Sequence, residues 1–156
     1  MNLYNMKHAT ESRISKERGQ KMRILIAEDD FASRKFLYKY LSSFGECDIS
    51  IDGIEAVDSF IMALEEGNPY DLICLDNMMP KLDGTRALKA IRDVEKQKGI
   101  EEGGRVKIIM TMALSNTSKV CSSFDTRCEA YTVKPIDEKK FVDVLKRLGL
   151  LENCHK

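Results

Sequence analysis

The sequence predicts one α/β domain built on a parallel β-sheet. Three observations predict it: five short apolar runs separated by longer segments of helical period, reactive polar residues at the ends of four of those runs, and a length of 156 residues, which suits a single core.

The runs lie at residues 24–27, 47–51, 72–75, 108–110 and 130–133. The first, third and fourth are continuously apolar, as strands buried on both faces are. The second alternates apolar with polar residues, as a strand near a sheet edge does. After the first run, Phe36, Leu37, Tyr40, Leu41 and Phe44 make a helical stripe ended by Gly45. After the second, Ile54, Val57, Ile61 and Leu64 make another, ended by Gly67. Ala87, Leu88, Ile91 and Val94 mark the third helix, and the polar segment 95–105 reads as its extension plus a solvent-exposed loop. The fourth helical segment is weak, because the serines, asparagine and threonine at 115–118 and Ser122 and Ser123 compete for backbone hydrogen bonds. The last helix carries Phe141, Val144, Leu145 and Leu148, with Asp137 as N-cap and Gly149 beyond its end.

Residues 1–21 form a basic arm without sustained periodicity, residues 22–150 the folded domain, and residues 151–156 a short tail. Twenty-five basic residues balance 25 acidic ones, so the overall field favours neither a nucleic-acid nor a membrane partner. Five cysteines, odd in number and without C-x-x-C spacing, read as reduced thiols, and the arm lacks the apolar core of a secretory signal. No segment approaches the ~20 apolar residues of a membrane span. The expectation is a cytoplasmic protein.

In open parallel sheets ligands bind beyond the carboxyl ends of the strands. Here those ends carry Glu28-Asp29-Asp30 after the first run, Asp76 after the third, Thr111 after the fourth and Lys134-Pro135 after the fifth. Carboxylates gathered at one edge raise one another's pKa unless a cation neutralises them. An all-oxygen site with open positions suits magnesium, with manganese as the alternative ion. Lys134 adds a point charge and Thr111 a hydroxyl, which completes the equipment for phosphoryl transfer to a carboxylate. Taken singly, each signal has an ordinary meaning: an acidic helix start, a capping aspartate, a strand threonine, a Lys-Pro loop. The weight lies in their joint placement.

Glu28-Asp29, Leu75-Asp76-Asn77-Met78-Met79-Pro80 with Asp83-Gly84, Thr111 and Lys134-Pro135 together resemble the receiver domain of bacterial response regulators, over about residues 22–150. The resemblance implies a flavodoxin-like, doubly wound five-stranded sheet of order 2-1-3-4-5. It implies that Asp76 is the phosphoacceptor, that Asp29 binds the metal directly while Glu28 holds metal-bound water, and that the main-chain carbonyl of Met78 is a further ligand. Thr111 and Lys134 would bind phosphoryl oxygens, Thr111 and Tyr131 would act as the switch, and the Lys134-Pro135 bond would be cis.

The same resemblance implies a CheY-like, stand-alone phosphoacceptor of two-component signalling rather than an enzyme, catalysing only its own phosphorylation and dephosphorylation. Its donor would be a sensor histidine kinase or a histidine phosphotransfer protein. A downstream protein target would dock on the fourth helix, fifth strand and fifth helix, with the chain a monomer or weak dimer. The alternatives are a receiver-like binding module that works without phosphorylation and an aspartyl-nucleophile phosphatase, which usually has an acid two residues after the nucleophile, where this chain has Met78. Met112 departs from the small residue usual after the threonine and is expected to cover the phosphorylation site. Met78 and Ala113 stand at positions that tune hydrolysis, and neither can orient a water, which implies a long-lived phosphoryl state. Arg127 stands where a glycine is common.

Overall fold

The computed structural model describes residues 21–113 and 127–152. Five strands, β1 (Met22–Ala27), β2 (Gly45–Ser50), β3 (Leu72–Asp76), β4 (Lys107–Ala113) and β5 (Ala130–Lys134), pair in parallel in the order β2-β1-β3-β4-β5. The helices α1 (Phe31–Leu41), α2 (Gly53–Glu65), α3 (Gly84–Gln97) and α4 (Glu138–Arg147) cover both faces, and a 3-10 turn at Glu102–Gly104 precedes β4. The expected flavodoxin-like order is the observed one. The expected fourth helix, Cys121, the basic arm to residue 20 with His8, and Cys154 and His155 lie outside the described residues. Cys47, Cys74 and Cys128 are free thiols.

Strand alternation divides the core in two. Leu25, Ile73, Leu75, Ile108 and Met110 point to the α2/α3 side and pack on Ala56, Phe60, Ala87, Leu88 and Ile91. Ile24, Ile26, Leu72, Cys74 and Ile109 point to the other side and pack on Leu37, Leu41, Phe141 and Leu145. Every residue of β3 is buried, which is why its sequence is apolar without alternation. β2 lies at the sheet edge as its sequence predicts, but its burial does not follow the expected apolar alternation: Ile49 is exposed while Ser50 is buried.

Each of α1 to α4 starts on an aspartate: Asp30, Asp52, Asp83 and Asp137 accept from the backbone N–H of Ser33, Glu55, Arg86 and Lys140. Such a cap stabilises a helix by about 1 kcal/mol. Gly67 and Gly149, just past α2 and α4, have positive φ, the left-handed backbone that ends a helix.

Three further expectations need correction. The first helical stripe does not run to Gly45; α1 ends at Leu41, and Gly45 opens β2 so close to β1 that a Cβ there would lie 2.1 Å from the Met22 carbonyl oxygen. In α2 the expected Val57, Ile61 and Leu64 pack half-buried against the core, but the fully buried face is Ala56, Phe60 and Ala63, and Ile54 is left 48% exposed, because small alanines let the helix approach the sheet while the larger aliphatics flank the contact. The stretch 95–105 does extend α3 to Gln97 and then forms a partly exposed loop, but its first residue, inside α3, is not solvated. Glu95 is buried, accepting from Arg92 at 2.7 Å and from the Val106 N–H at 2.8 Å, and Arg92 also reaches both oxygens of Glu129 at 3.0 Å.

Candidate functional site

The carboxyl ends of β1, β3, β4 and β5 bring four polar groups onto the α1/α4 side of the sheet. Asp76 closes β3 and is in register with Thr111 of β4, and the Asn77 N–H donates to the Thr111 carbonyl at 2.8 Å. Glu28 follows β1 and is wholly buried. From β5, the Lys134 Nζ lies 2.8 Å from Glu28 Oε1 and 3.3 Å from Asp76 Oδ2. Asp29 stands at the exposed lip, and oxygens of Glu28, Asp29 and Asp76 lie within 4.8 Å of one another. The structure therefore unites Glu28, Asp29, Asp76, Thr111 and Lys134. Asp30, the third acid of that run, is taken out of the cluster by its capping bond to Ser33 at 2.9 Å.

Electrostatics follow from this crowding. Burial, then the adjoining Glu28 carboxyl, pushes Asp76 up to about 6, against the pull of Lys134 and the Met78 N–H. Burial and Asp76 likewise raise Asp29. Burial would lower the Lys134 ammonium, but Glu28 and Asp76 outweigh it and hold it above the ordinary lysine value. Three carboxyls against one ammonium leave the cluster short of positive charge. Of the buried side-chain atoms without a hydrogen-bond partner among the described residues, two belong to this site, Glu28 Oε2 and Thr111 Oγ1. An unpartnered carboxylate oxygen beside two further hard oxygens fits a small divalent cation such as magnesium. An unpartnered hydroxyl across the site fits an incoming acceptor oxygen.

The loop from β3 to α3 is held tightly against the site. A Cβ on Gly84 would lie 2.3 Å from the Asp76 carbonyl oxygen, so only glycine lets α3 start this close. The Met78 N–H donates to Asp76 Oδ1 at 3.2 Å, while the Met78 side chain is 63% exposed. Lys81, at φ 67°, pairs with Asp52 at 3.4 Å and ties this loop to the start of α2. The Lys134-Pro135 peptide bond is cis.

The expected placement of Met112 over the site is overturned. It is buried within β4, and alternation turns it to the side of Ile108 and Met110, away from Thr111. Tyr131, opposite Met110 in register, packs half-buried against the same side of the sheet. Sequence reasoning missed Arg34 and the Asp52–Lys81 pair. For Arg34 the available signal is its place in the first turn of a helix that follows an acidic pair.

A family model described as response regulator receiver domain matches residues 24–146. Among curated proteins, the chemotaxis protein CheY of Treponema pallidum is 30% identical over 136 residues, 86% of this chain and 85% of that protein. A probable histidine kinase 2 of rice is 30% identical over 134 residues, 80% of this chain but 12% of the kinase, so the chain spans a small part of that relative. Among solved structures, the receiver domain of sensor histidine kinase PA1611 of Pseudomonas aeruginosa, with a magnesium ion coordinated in its active-site cleft, superposes with a TM-score of 0.62 at 30% identity, covering 81% of this chain and 96% of that one. The receiver domain of Ssk1 of Saccharomyces cerevisiae, crystallised with the histidine phosphotransfer protein Ypd1, gives 0.66 at 26% identity, covering 85% and 94%.

Proposed function

The chain belongs to the response regulator receiver domain family of two-component signalling, and on that premise we propose that it accepts a phosphoryl group on Asp76 in a magnesium-dependent reaction and thereby alters a protein-binding surface. The observation that carries this reading is the meeting of the Glu28, Asp29 and Asp76 oxygens within 4.8 Å, flanked by Lys134 and by the unpartnered Thr111 hydroxyl.

Asp29, Asp76 and the Met78 carbonyl would hold the metal, with Glu28 holding its water. Manganese would substitute. Bound there, the ion supplies charge neutralisation for the carboxylates and for the phosphoryl oxygens. An Asp76 carboxylate oxygen attacks phosphorus in line, the P–N bond to the donor imidazole breaks, and the nitrogen leaves with the bonding pair. Lys134, already at the Asp76 carboxylate, moves its ammonium contact to a phosphoryl oxygen. Thr111 gains the acceptor its buried hydroxyl lacks. The donor is a sensor histidine kinase or a histidine phosphotransfer protein, which agrees with the kinase among the relatives and with the Ssk1 complex.

The phosphorylated state is read through Thr111 and Tyr131 at the β4–β5 edge, and a downstream protein docks on the surface of β5 and α4. The chain catalyses only its own phosphorylation and dephosphorylation. No helix among the described residues is long and apolar enough to cross a membrane.

The test is intact-protein mass after incubation with acetyl phosphate and magnesium, for wild type, Asp76→Ala and an EDTA control. One phosphoryl adduct that needs both Asp76 and the metal supports the reading. No adduct from either acetyl phosphate or a phosphohistidine protein would leave the chain a binding module that works without phosphate.

A further inference from the structure

The connection from β1 to α1 supplies two of the three clustered carboxyls within three residues, and its backbone is held from several directions. The Glu28 N–H donates to the Ser50 carbonyl at 3.0 Å, and the Asp30 N–H donates to Glu28 Oε1 at 3.2 Å. The two carbonyls are held by one side chain. Arg34 Nη1 lies 3.1 Å from the Glu28 carbonyl oxygen and 3.3 Å from that of Asp29, while the guanidinium rests over the Phe31 ring at 5.6 Å. The Arg34 N–H meanwhile donates to the Asp30 carbonyl at 2.9 Å, so α1 begins with its side chain folded back over the loop that precedes it.

We propose that Arg34 is a positioning residue for the metal site: by holding two consecutive carbonyls it fixes the direction in which the Glu28 and Asp29 carboxylates leave the backbone, so that the site is arranged before the cation arrives. This rests on the reading of Glu28 and Asp29 as the residues that hold the ion. Partners that orient metal ligands from behind commonly matter about tenfold or more in affinity. The sign separates positioning from simple charge. A guanidinium beside the site opposes a second cation, so on electrostatics alone its removal would tighten metal binding; a loss of positioning weakens it.

The experiment is a manganese titration followed by electron paramagnetic resonance on the full chain, comparing wild type, Arg34→Met and Arg34→Lys, with thermal unfolding of each in EDTA. Arg34→Met should bind manganese about tenfold more weakly than wild type. Arg34→Lys keeps the charge but not the planar guanidinium, and should lie between them, about threefold weaker than wild type. Equal or tighter binding by Arg34→Met overturns the inference and leaves the metal reading intact. Absence of manganese binding by wild type overturns the metal reading itself, and the inference with it. Should EDTA unfolding show that Arg34→Met does not fold, Arg34→Lys decides, and an affinity equal to wild type overturns the inference.

Discussion

Replacing Asp76 with asparagine should stabilise the metal-free protein at neutral pH, although it removes the residue on which the proposed function depends. In the folded chain its carboxyl is pushed up to about 6 from the 3.8 of an unburied aspartate, by burial first and by Glu28 second. The folded state therefore binds this proton more tightly than the unfolded state does, and between those two values stability falls as pH rises. Above pH 6 the whole cost is present. At ~1.4 kcal/mol for each tenfold change in proton affinity, it amounts to about 3 kcal/mol. Asparagine avoids the charge but loses the attraction to Lys134, so a gain of about 1–3 kcal/mol is expected. For a domain of this size that raises the unfolding midpoint by roughly 4–12 °C. The assay is thermal and urea unfolding of both proteins in EDTA, near pH 7.5 and again near pH 4, where the difference should largely vanish. Adding magnesium should raise the wild-type midpoint selectively and narrow the gap, because the ion binds only the folded state. A variant less stable than wild type in EDTA at the higher pH would refute the reasoning, since it would mean that the buried carboxylates are already compensated.

Other perturbations should separate chemistry from packing. Lys134→Met takes away the only ammonium facing Glu28 and Asp76 among the described residues, so phosphorylation by acetyl phosphate should fall by at least about 100-fold by mass, and stability should drop by about 3 kcal/mol as Glu28 is left buried without its partner; near-normal phosphorylation would remove Lys134 from the chemistry. Thr111→Val replaces a buried hydroxyl that has no partner, so unfolding in urea should show equal or slightly greater stability, by about 0–1 kcal/mol, while the phosphorylated protein should lose its hydrogen-exchange response near β5. Met112→Ala should leave the acetyl phosphate rate unchanged, because the side chain faces away from the site, and should cost about 2–4 kcal/mol as a buried methionine removed; a faster reaction would restore the covering role. Asp137→Ala should cost about 1 kcal/mol in urea unfolding through loss of the α4 cap.

The sequence by itself determined the strand count, the edge position of β2, the helix stops at Gly67 and Gly149 and the polar residues gathered at the strand ends. All of these are written in local pattern: continuous or alternating apolar runs, turn residues, and polar residues where an apolar run breaks. Only the tertiary structure decided what depends on which face meets which. Alternation along β4 sent Met112 to one side and Thr111 to the other, although they are neighbours in sequence. Close approach to the sheet chose Ala56, Phe60 and Ala63 over Ile54 as the inner face of α2, which hydrophobicity alone does not rank. Of the three adjacent acids, folding gave Glu28 to the buried site, Asp29 to its lip and Asp30 to a helix cap. Arg34 acquired its place over the Glu28 and Asp29 carbonyls only once α1 turned back over the loop it follows. Local sequence specifies which groups are available, whereas the partner each one finds depends on how the chain packs, often between segments far apart in sequence.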